Sequence, residues 1–249
     1  MGVPVIPLCK TARAAPRRSL HLSEELGSPI DAPNLLGGLS DEEIEKIFAV
    51  SSIQVFSAGK IVFRQGDDHD GVFIILSGQM RIYYSGRSGR EITLAYWSPG
   101  NFVGGPEVFG GSLHMWSGQA DRPTQVLHVP GGELRRLVEQ IPRLALALID
   151  ALIHKGKCFS GLIHMLGTRS AAERLAQLLV LMADLDGRRS PEGLIIGRRQ
   201  TQEELAKLVG ATRQWVSTTL ERFREDGLVD IAPHHIVIRD AHRLRRLGG

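Results

Sequence analysis

Apolar and polar positions change their period along the chain, and each change marks an element. Ile44, Ile47 and Phe48 recur at helical spacing behind Ser40-Asp41-Glu42-Glu43, where a hydroxyl stands three residues before a Glu able to reach back to its amide. That spacing predicts a short capped helix. From Ile53 to Pro130 the chain breaks into β-rich runs: Ile53 to Phe56, Lys60 to Phe63, Val72 to Leu76, Met80 to Tyr84, Glu91 to Tyr96 and Gln125 to Val129. Turns such as Ser57-Ala58-Gly59, Ser77-Gly78 and Ser85-Gly86-Arg87-Ser88-Gly89 separate them. Closely spaced strands with no helices between them predict an antiparallel roll or barrel rather than a parallel sheet.

After Gly131-Gly132 the period turns helical. Leu134, Leu137 and Val138 precede Pro142; then Leu144, Leu148, Leu152, His154 or Lys155, Phe159, Leu162, Ile163 and Leu166 recur at threes and fours. A helix of about 25 residues is expected, with the proline at its first turn. So long an apolar stripe must be buried, and a second copy of itself is the economical partner, which points to a homodimer. The other reading lays the helix on its own domain's core. Ala171 to Asp186 reads as another amphipathic helix, and Gly187 to Gly193 as a polar turn before Leu194-Ile195-Ile196.

The most informative stretch follows. Thr201-Gln202-Glu203-Glu204 is a capping box opening a helix to Val209; Gly210-Ala211-Thr212 is a tight turn; Arg213 to Asp226 is a second helix ended by Gly227. Leu228 to Ile231 and Ile236 to Arg239 flank Pro233-His234-His235 as a hairpin. This order is a winged helix-turn-helix, so the expected fold class is α+β: an N-terminal antiparallel β-roll, a long helix and a C-terminal winged helix-turn-helix. The expected boundaries are a flexible extension over 1–33, a sensing roll over 34–141, a dimerisation helix over 142–167 and the DNA-binding domain over 168–249. The extension is rich in proline and arginine and shows no sustained period; a misassigned start codon would produce the same stretch.

Composition narrows the class. At 249 residues with 43% hydrophobic and 23% charged side chains, the chain can bury cores, and whole-chain disorder is excluded. No apolar run approaches the roughly 18 residues of a membrane span, so no membrane partner is expected. Cys9 and Cys158 fit neither a disulfide framework nor a metal spacing; no metal is expected, and a reducing cytoplasm fits. Residues 24–167 hold 12 basic and 16 acidic side chains, and 168–249 hold 14 and 11, the asymmetry of a chain whose last third meets a polyanion. Phosphate loops and the common nucleophile and metalloprotease motifs are missing, so an enzyme is not expected.

The first turns of the second helix of a helix-turn-helix enter the major groove and need donors that reach base edges. Arg213, Gln214, Ser217 and Thr218 share one face there, while Val216, Leu220 and Phe223 point to the core. Arg can grip guanine and Gln adenine in two-pronged fashion; Ser and Thr serve base or phosphate. Lys207, Arg198, Arg199 and Arg222 are candidate phosphate contacts. The alternative is a solvated face of a protein-binding winged helix.

With these residues placed, the chain from about Leu39 to Asp240 resembles the CRP/FNR superfamily of bacterial transcription regulators. The resemblance rests on Gly59-Lys60, Arg64-Gln65-Gly66-Asp67, Val72 through Ile82 and Pro99-Gly100-Asn101-Phe102-Val103-Gly104. The long helix, Thr201 to Ala206 and Arg213-Gln214-Trp215-Val216-Ser217 complete it. It implies a cyclic-nucleotide-binding-like jelly roll, a dimerising helix, DNA and RNA polymerase as partners, and a small effector that moves the DNA-binding domain. Arg213, Gln214 and Thr218 match the family's base-reading positions and Trp215 a phosphate-contacting one; Thr201 and Arg199 join the DNA-facing set.

The effector region departs from the family. Members that bind cAMP carry Phe-x-Gly-Glu and a later Arg-Ser, the Arg neutralising the cyclic phosphate. Here Gly105 stands at the Glu position, and no Arg lies between Arg90 and Arg122. A buried unpaired phosphate is costly, so cAMP held in the usual manner is disfavoured and the effector is left unknown. The candidate pocket comprises Gly104, Gly105, Glu107, His114, Met115, Trp116, Phe159 and Ser160, the last two matching the family's adenine-contacting pair with half of it retained. His114 and Met115 leave an axially ligated haem open. Cys158 leaves redox sensing open, the plainer reading being a small buried side chain. Trp97, Phe109, Met115 and Trp116 could line an apolar pocket. Asp67, Asp68, His69 and Asp70 read as a solvated turn. The alternative functions are a cyclic-nucleotide-binding regulatory module and a haem or redox gas sensor of the same fold.

Overall fold

Six consecutive apolar or small residues from Gly71 to Leu76 are all buried, which a strand achieves only if both its faces are covered. This strand, β4 (Gly71–Ser77), organises the first half of the molecule. The structure, a computed structural model, describes residues 33–196, 201–232 and 235–248. These fall into two compact units, one holding 33–90 and Leu94–Phe159, the other Glu91–Thr93 and 160–248.

In the first unit β4 lies in a sheet of order β1-β10-β4-β7, with β1 Ser52–Phe56, β7 Phe102–Val103 and β10 Thr124–Pro130. A second sheet runs β2-β9-β5-β6, with β2 Ile61–Phe63, β5 Met80–Ser85, β6 Glu91–Trp97 and β9 Ser117–Ala120. A small ladder joins β3 (Asp68–His69) to β8 (Ser112–Leu113). The pairings within the first sheet are antiparallel, as the sequence led us to expect; β4 and β10 run Ile74↔Leu127 and Val72↔Val129. Phe73 and Ile75 of β4 join Phe63, Met80, Ile82, Trp97 and Val126 in one core, while Val72, Ile74 and Leu76 join a second. That second core is covered by α1 (Asp41–Ala49), α2 (Gly131–Gln140) and the first turns of α3 (Pro142–Thr168). The Ser40–Glu43 box caps α1 as its sequence required, with bonds of 2.7 and 3.2 Å.

The long helix uses more than one face. Leu144 and Leu148, part of the stripe that suggested a second copy as partner, are instead buried with Ala151 in their own domain's core. Over these first turns the argument for a partner on that face is corrected: α1 and α2, close in sequence, already cover it. A second row on α3, which takes Ile163 from that stripe, remains exposed and contains Leu146, Ile149, Ile153 and Ile163.

In the second unit α4 (Ala171–Asp186) is capped by a Ser170–Glu173 box and packs with α7 (Ala241–Gly248). α5 (Gln202–Val209) and α6 (Arg213–Glu225) form the helix-turn-helix. A sheet of order β11-β12-β14-β13 completes the unit, from β11 Gly187–Ser190, β12 Gly193–Ile196, β13 Val229–Ala232 and β14 His235–Ile238. The expected hairpin thus pairs with β12, Leu194 facing Ile238. The stretch read as a polar turn is an edge strand; Gly187-Arg188-Arg189-Ser190 offers no apolar alternation, but an edge needs only its backbone to pair. Residues 1–32 of the expected extension, Arg198, Arg199, Pro233 and His234 lie outside the described residues.

Candidate functional site

At the helix-turn-helix, Thr201 opens α5. Its amide donates to Glu204 Oε2 at 2.7 Å, and the Glu204 amide donates to Thr201 Oγ1 at 3.2 Å. The Thr201 hydroxyl is therefore committed to the cap. Leu205, Ala206, Leu208 and Val209 are buried, and α5 stops at Gly210, whose left-handed backbone (φ 66°, ψ 37°) an L side chain adopts only with strain. Three residues later α6 begins, with Thr212 Oγ1 accepting the Trp215 amide at 3.2 Å. Val216, Thr219, Leu220 and Phe223 anchor one face of α6. Arg213, Gln214 and Thr218 are exposed on the other, with Ser217 and Trp215 half-buried beside them. Thr218 Oγ1 donates to the Gln214 carbonyl at 3.1 Å. Among the described residues neither the Arg213 guanidinium nor the Gln214 amide has a side-chain partner. The first turn of α6 holds no acid, so its positive dipole end and Arg213 present an uncancelled cationic tip. Lys207, by contrast, sits 4.0 Å from Glu203 one turn away.

Arg174 fixes the neighbouring helix ends. Its Nε donates to the Val209 carbonyl at 2.9 Å, and its Nη1 to those of Arg169 and Leu166 at 2.9 and 3.4 Å. One cation thus satisfies the C-termini of both α5 and α3.

In the roll, a small cavity is lined by Ile82, Trp97, Phe102, Val103, Gly104, Gly105, Trp116, Lys155 and Phe159. Of the residues the sequence placed in an effector pocket, Gly104, Gly105, Trp116 and Phe159 converge here; Trp97 does too. Glu107, Met115 and Ser160 are exposed and outside the lining. His114 is also outside it: buried, stacked on Phe63 at 4.3 Å and hydrogen-bonded through Nδ1 to the Gly104 carbonyl at 2.8 Å. His114 and Met115, the candidate haem ligands, thus occupy different environments. Phe109 packs on the other core, under Arg135. Cys158 is buried, its sulfur 3.6 Å from His154 Nε2.

Two features escaped the sequence. His69, read as part of a solvated turn, is buried, because alternation along β3 turns Asp68 outward and His69 inward. Neither of its ring nitrogens has a hydrogen-bond partner among the described residues, and it meets His114 edge-on at 4.5 Å. Burial, reinforced by His114, lowers its basicity. A Cβ on Gly105 would stand 3.1 Å from His69 Nε2, so a side chain at 105 would press on the imidazole. The second feature is Lys155. Its Nζ lies 3.4 Å from the centre of the Trp97 ring and 4.9 Å from that of Phe102. Burial brings this ammonium down from 10.5 to about 7, with Cys158 acting in the opposite sense.

Comparison with known proteins agrees with this layout. Residues 53–141 match the cyclic nucleotide-binding domain family and 173–247 the Crp-like helix-turn-helix domain family. The chain is 26% identical over 221 residues to a cyclic AMP receptor protein of Thermus thermophilus, covering 89% of this chain and 97% of that one. The fold is shared with the c-di-GMP responsive global regulator CLP of Xanthomonas campestris, at TM-score 0.73 and 21% identity over 81% of this chain and 100% of that chain. It is likewise shared with a CooA mutant from Carboxydothermus hydrogenoformans, at TM-score 0.67 and 23% identity over 82% and 90%. Among the described residues no helix is long and apolar enough to cross a membrane. A cyclic nucleotide-binding domain followed by a Crp-like helix-turn-helix places the chain in the CRP/FNR superfamily, whose members are transcription regulators and not enzymes.

Proposed function

We propose that the chain is a homodimeric, sequence-specific DNA-binding regulator whose affinity for its site is set by a small effector in the roll cavity. The observation that carries this reading is the tip of α6, where Arg213, Gln214 and Thr218 stand exposed on a helix with no acid in its first turn. In this reading Arg213 and Gln214 read bases, Ser217 and Thr218 meet base or phosphate, and Trp215 and Arg199 meet phosphate. Thr201 acts through its cap. Residues 34–141 sense, 142–167 dimerise and 168–249 bind DNA.

The dimer rests on the exposed row of α3. Leu146, Ile149, Ile153, Gly156, Ser160, Ile163 and Gly167 are spaced alternately by three and four and are all exposed, the seam of a two-stranded coiled coil. Effector binding shifts the population between two packings of that helix and so the separation of the paired α6 tips. Selection from random duplexes tests the reading. It should return a near-palindrome whose half-sites lie about 34–36 Å apart, bound by two chains. Failure to enrich any sequence contradicts it.

The match to a cyclic nucleotide-binding domain and the name of the Thermus relative favour a cyclic nucleotide as a second reading of the effector. Gly105 in place of the Glu, and the lack of Arg between Arg90 and Arg122, weigh against cAMP held in the usual manner. Added cAMP should leave the melting midpoint unchanged; a saturable rise would restore that effector.

A further inference from the structure

A half-buried ammonium set against aromatic faces at the wall of a cavity, with no carboxylate beside it among the described residues, lacks a counter-charge. Among the described residues Lys155 has no ion-pair partner; what surrounds its head is the faces of Trp97 and Phe102. The rest of the cavity explains what is missing. Trp116 and Phe159 meet with ring planes tilted by 55° and centres 5.4 Å apart, Ile82 and Val103 are buried, and Gly104-Gly105 contributes bare backbone. The lining therefore offers one cation, several apolar faces and no acid.

We propose that Lys155 is the anion-binding residue of this cavity, and that the ligand is a small organic acid whose carboxylate pairs with Nζ while its aromatic body lies against Trp116 and Phe159. A carboxylate supplies the charge the ammonium lacks in a site where such a pair is little screened by water. The free space now amounts to roughly one water molecule, so the carboxylate enters as the ammonium leaves the Trp97 face. Burial already holds this ammonium near 7, and pairing with an acid restores its protonation, so binding takes up a proton above neutral pH. His154, 6.0 Å from Trp97 on the same helix, and Cys158 are the titratable neighbours, and burial keeps His154 uncharged near neutrality. Inorganic phosphate and a cyclic nucleotide fit less well: the first has no apolar body for the indole and phenyl walls, and the second brings a polar sugar with no side-chain partner among the lining residues.

The inference deepens the reading of the cavity as the effector site, but its test needs no DNA. Trp97 and Trp116 line the cavity, so titration of the full-length protein is followed by tryptophan emission with benzoate as probe and benzamide as its neutral counterpart. Benzoate should give a saturable change at least about tenfold tighter than benzamide, and Lys155→Met should abolish that preference. Lys155→Gln provides the same comparison should the Met variant not fold. The benzoate affinity should also fall as pH rises from 7 to 9. Equal binding of the two probes, an unchanged preference in the variants, or no response to benzoate at about 10 mM would each overturn the proposal. A protein that binds benzoate through Lys155 while its DNA affinity stays fixed would uphold this inference and remove the effector reading instead.

Discussion

The two units treat their cations in opposite ways. In the helix-turn-helix unit the tip of α6 leaves Arg213 exposed, with no acid among the described residues paired to it. In the roll, Lys155 is held among aromatic rings where its charge is penalised, and His69 and His154 are buried with their basicity lowered. An exposed cation waits for a polyanion at almost no energetic cost to the fold. A base whose charge is penalised by burial lowers the stability of the fold while it stays protonated. Recognition chemistry at the DNA end is thus permanently displayed, whereas the chemistry of the roll is latent.

The contrast can be broken most severely at the seam that would bring two DNA-facing tips together. Ile149→Glu with Ile153→Glu places like charges on a row that is now exposed and apolar, in a position to meet and repel its own copy. Light scattering should show a monomer, and affinity for a palindromic duplex should fall by about 10² or more as the second contact is lost. An unchanged dimer would show that this row is not the interface. Next in size is Arg174→Met, which leaves the carbonyls of Val209, Arg169 and Leu166 without their donor. Denaturant unfolding of the whole chain should register a loss of about 2–4 kcal/mol. A change within noise would mean that water replaces the guanidinium freely.

Acidity sharpens the comparison with a smaller effect. Between pH 7 and 10.5 the unfolded chain keeps a proton on Lys155 that the folded chain has released, so stability rises with pH across that window. His69 and His154 act with the same sign lower down: both sit below 6.5 when folded, so the unfolded chain takes up protons first as pH falls and stability declines. The slope is at most about 1.4 kcal/mol per unit for each group. Melting curves of the parent and Lys155→Met should converge at alkaline pH and separate near neutrality, with the variant the more stable. Parallel curves would contradict the burial of that charge.

Legibility in the sequence followed the range of the interactions. The capping boxes at Ser40 and Thr201, the turn at Gly210 and the amphipathic face of α6 are all local, and the order of their residues stated them in advance. The roll was legible in its longer strands and in the short but wholly apolar β2. β3, β7, β8 and β9 have two to four residues each, too few to display a period, and β8 and β9 are largely polar or small. The cavity suffered most, because Ile82, Trp97, Gly104, Trp116 and Lys155 come from separate stretches that only the sheet register and the helix bring together. Lys155 was read as one position of a long helical pattern; nothing local distinguishes a lysine bound for water from one bound for an indole. His69 was hidden for a related reason: three acidic neighbours made its stretch look solvated, while strand alternation singled it out for burial.

The central claim, that the exposed tip of α6 reads base edges, is tested most directly by gel-shift titration of parent and Arg213→Ala on the selected duplex and on one with a symmetric base change, at one fixed salt concentration. The parent should favour the selected duplex, and the variant should lose about 1–3 kcal/mol of that preference while retaining its salt-dependent, sequence-independent binding. A variant that discriminates between the two duplexes as well as its parent would contradict the account.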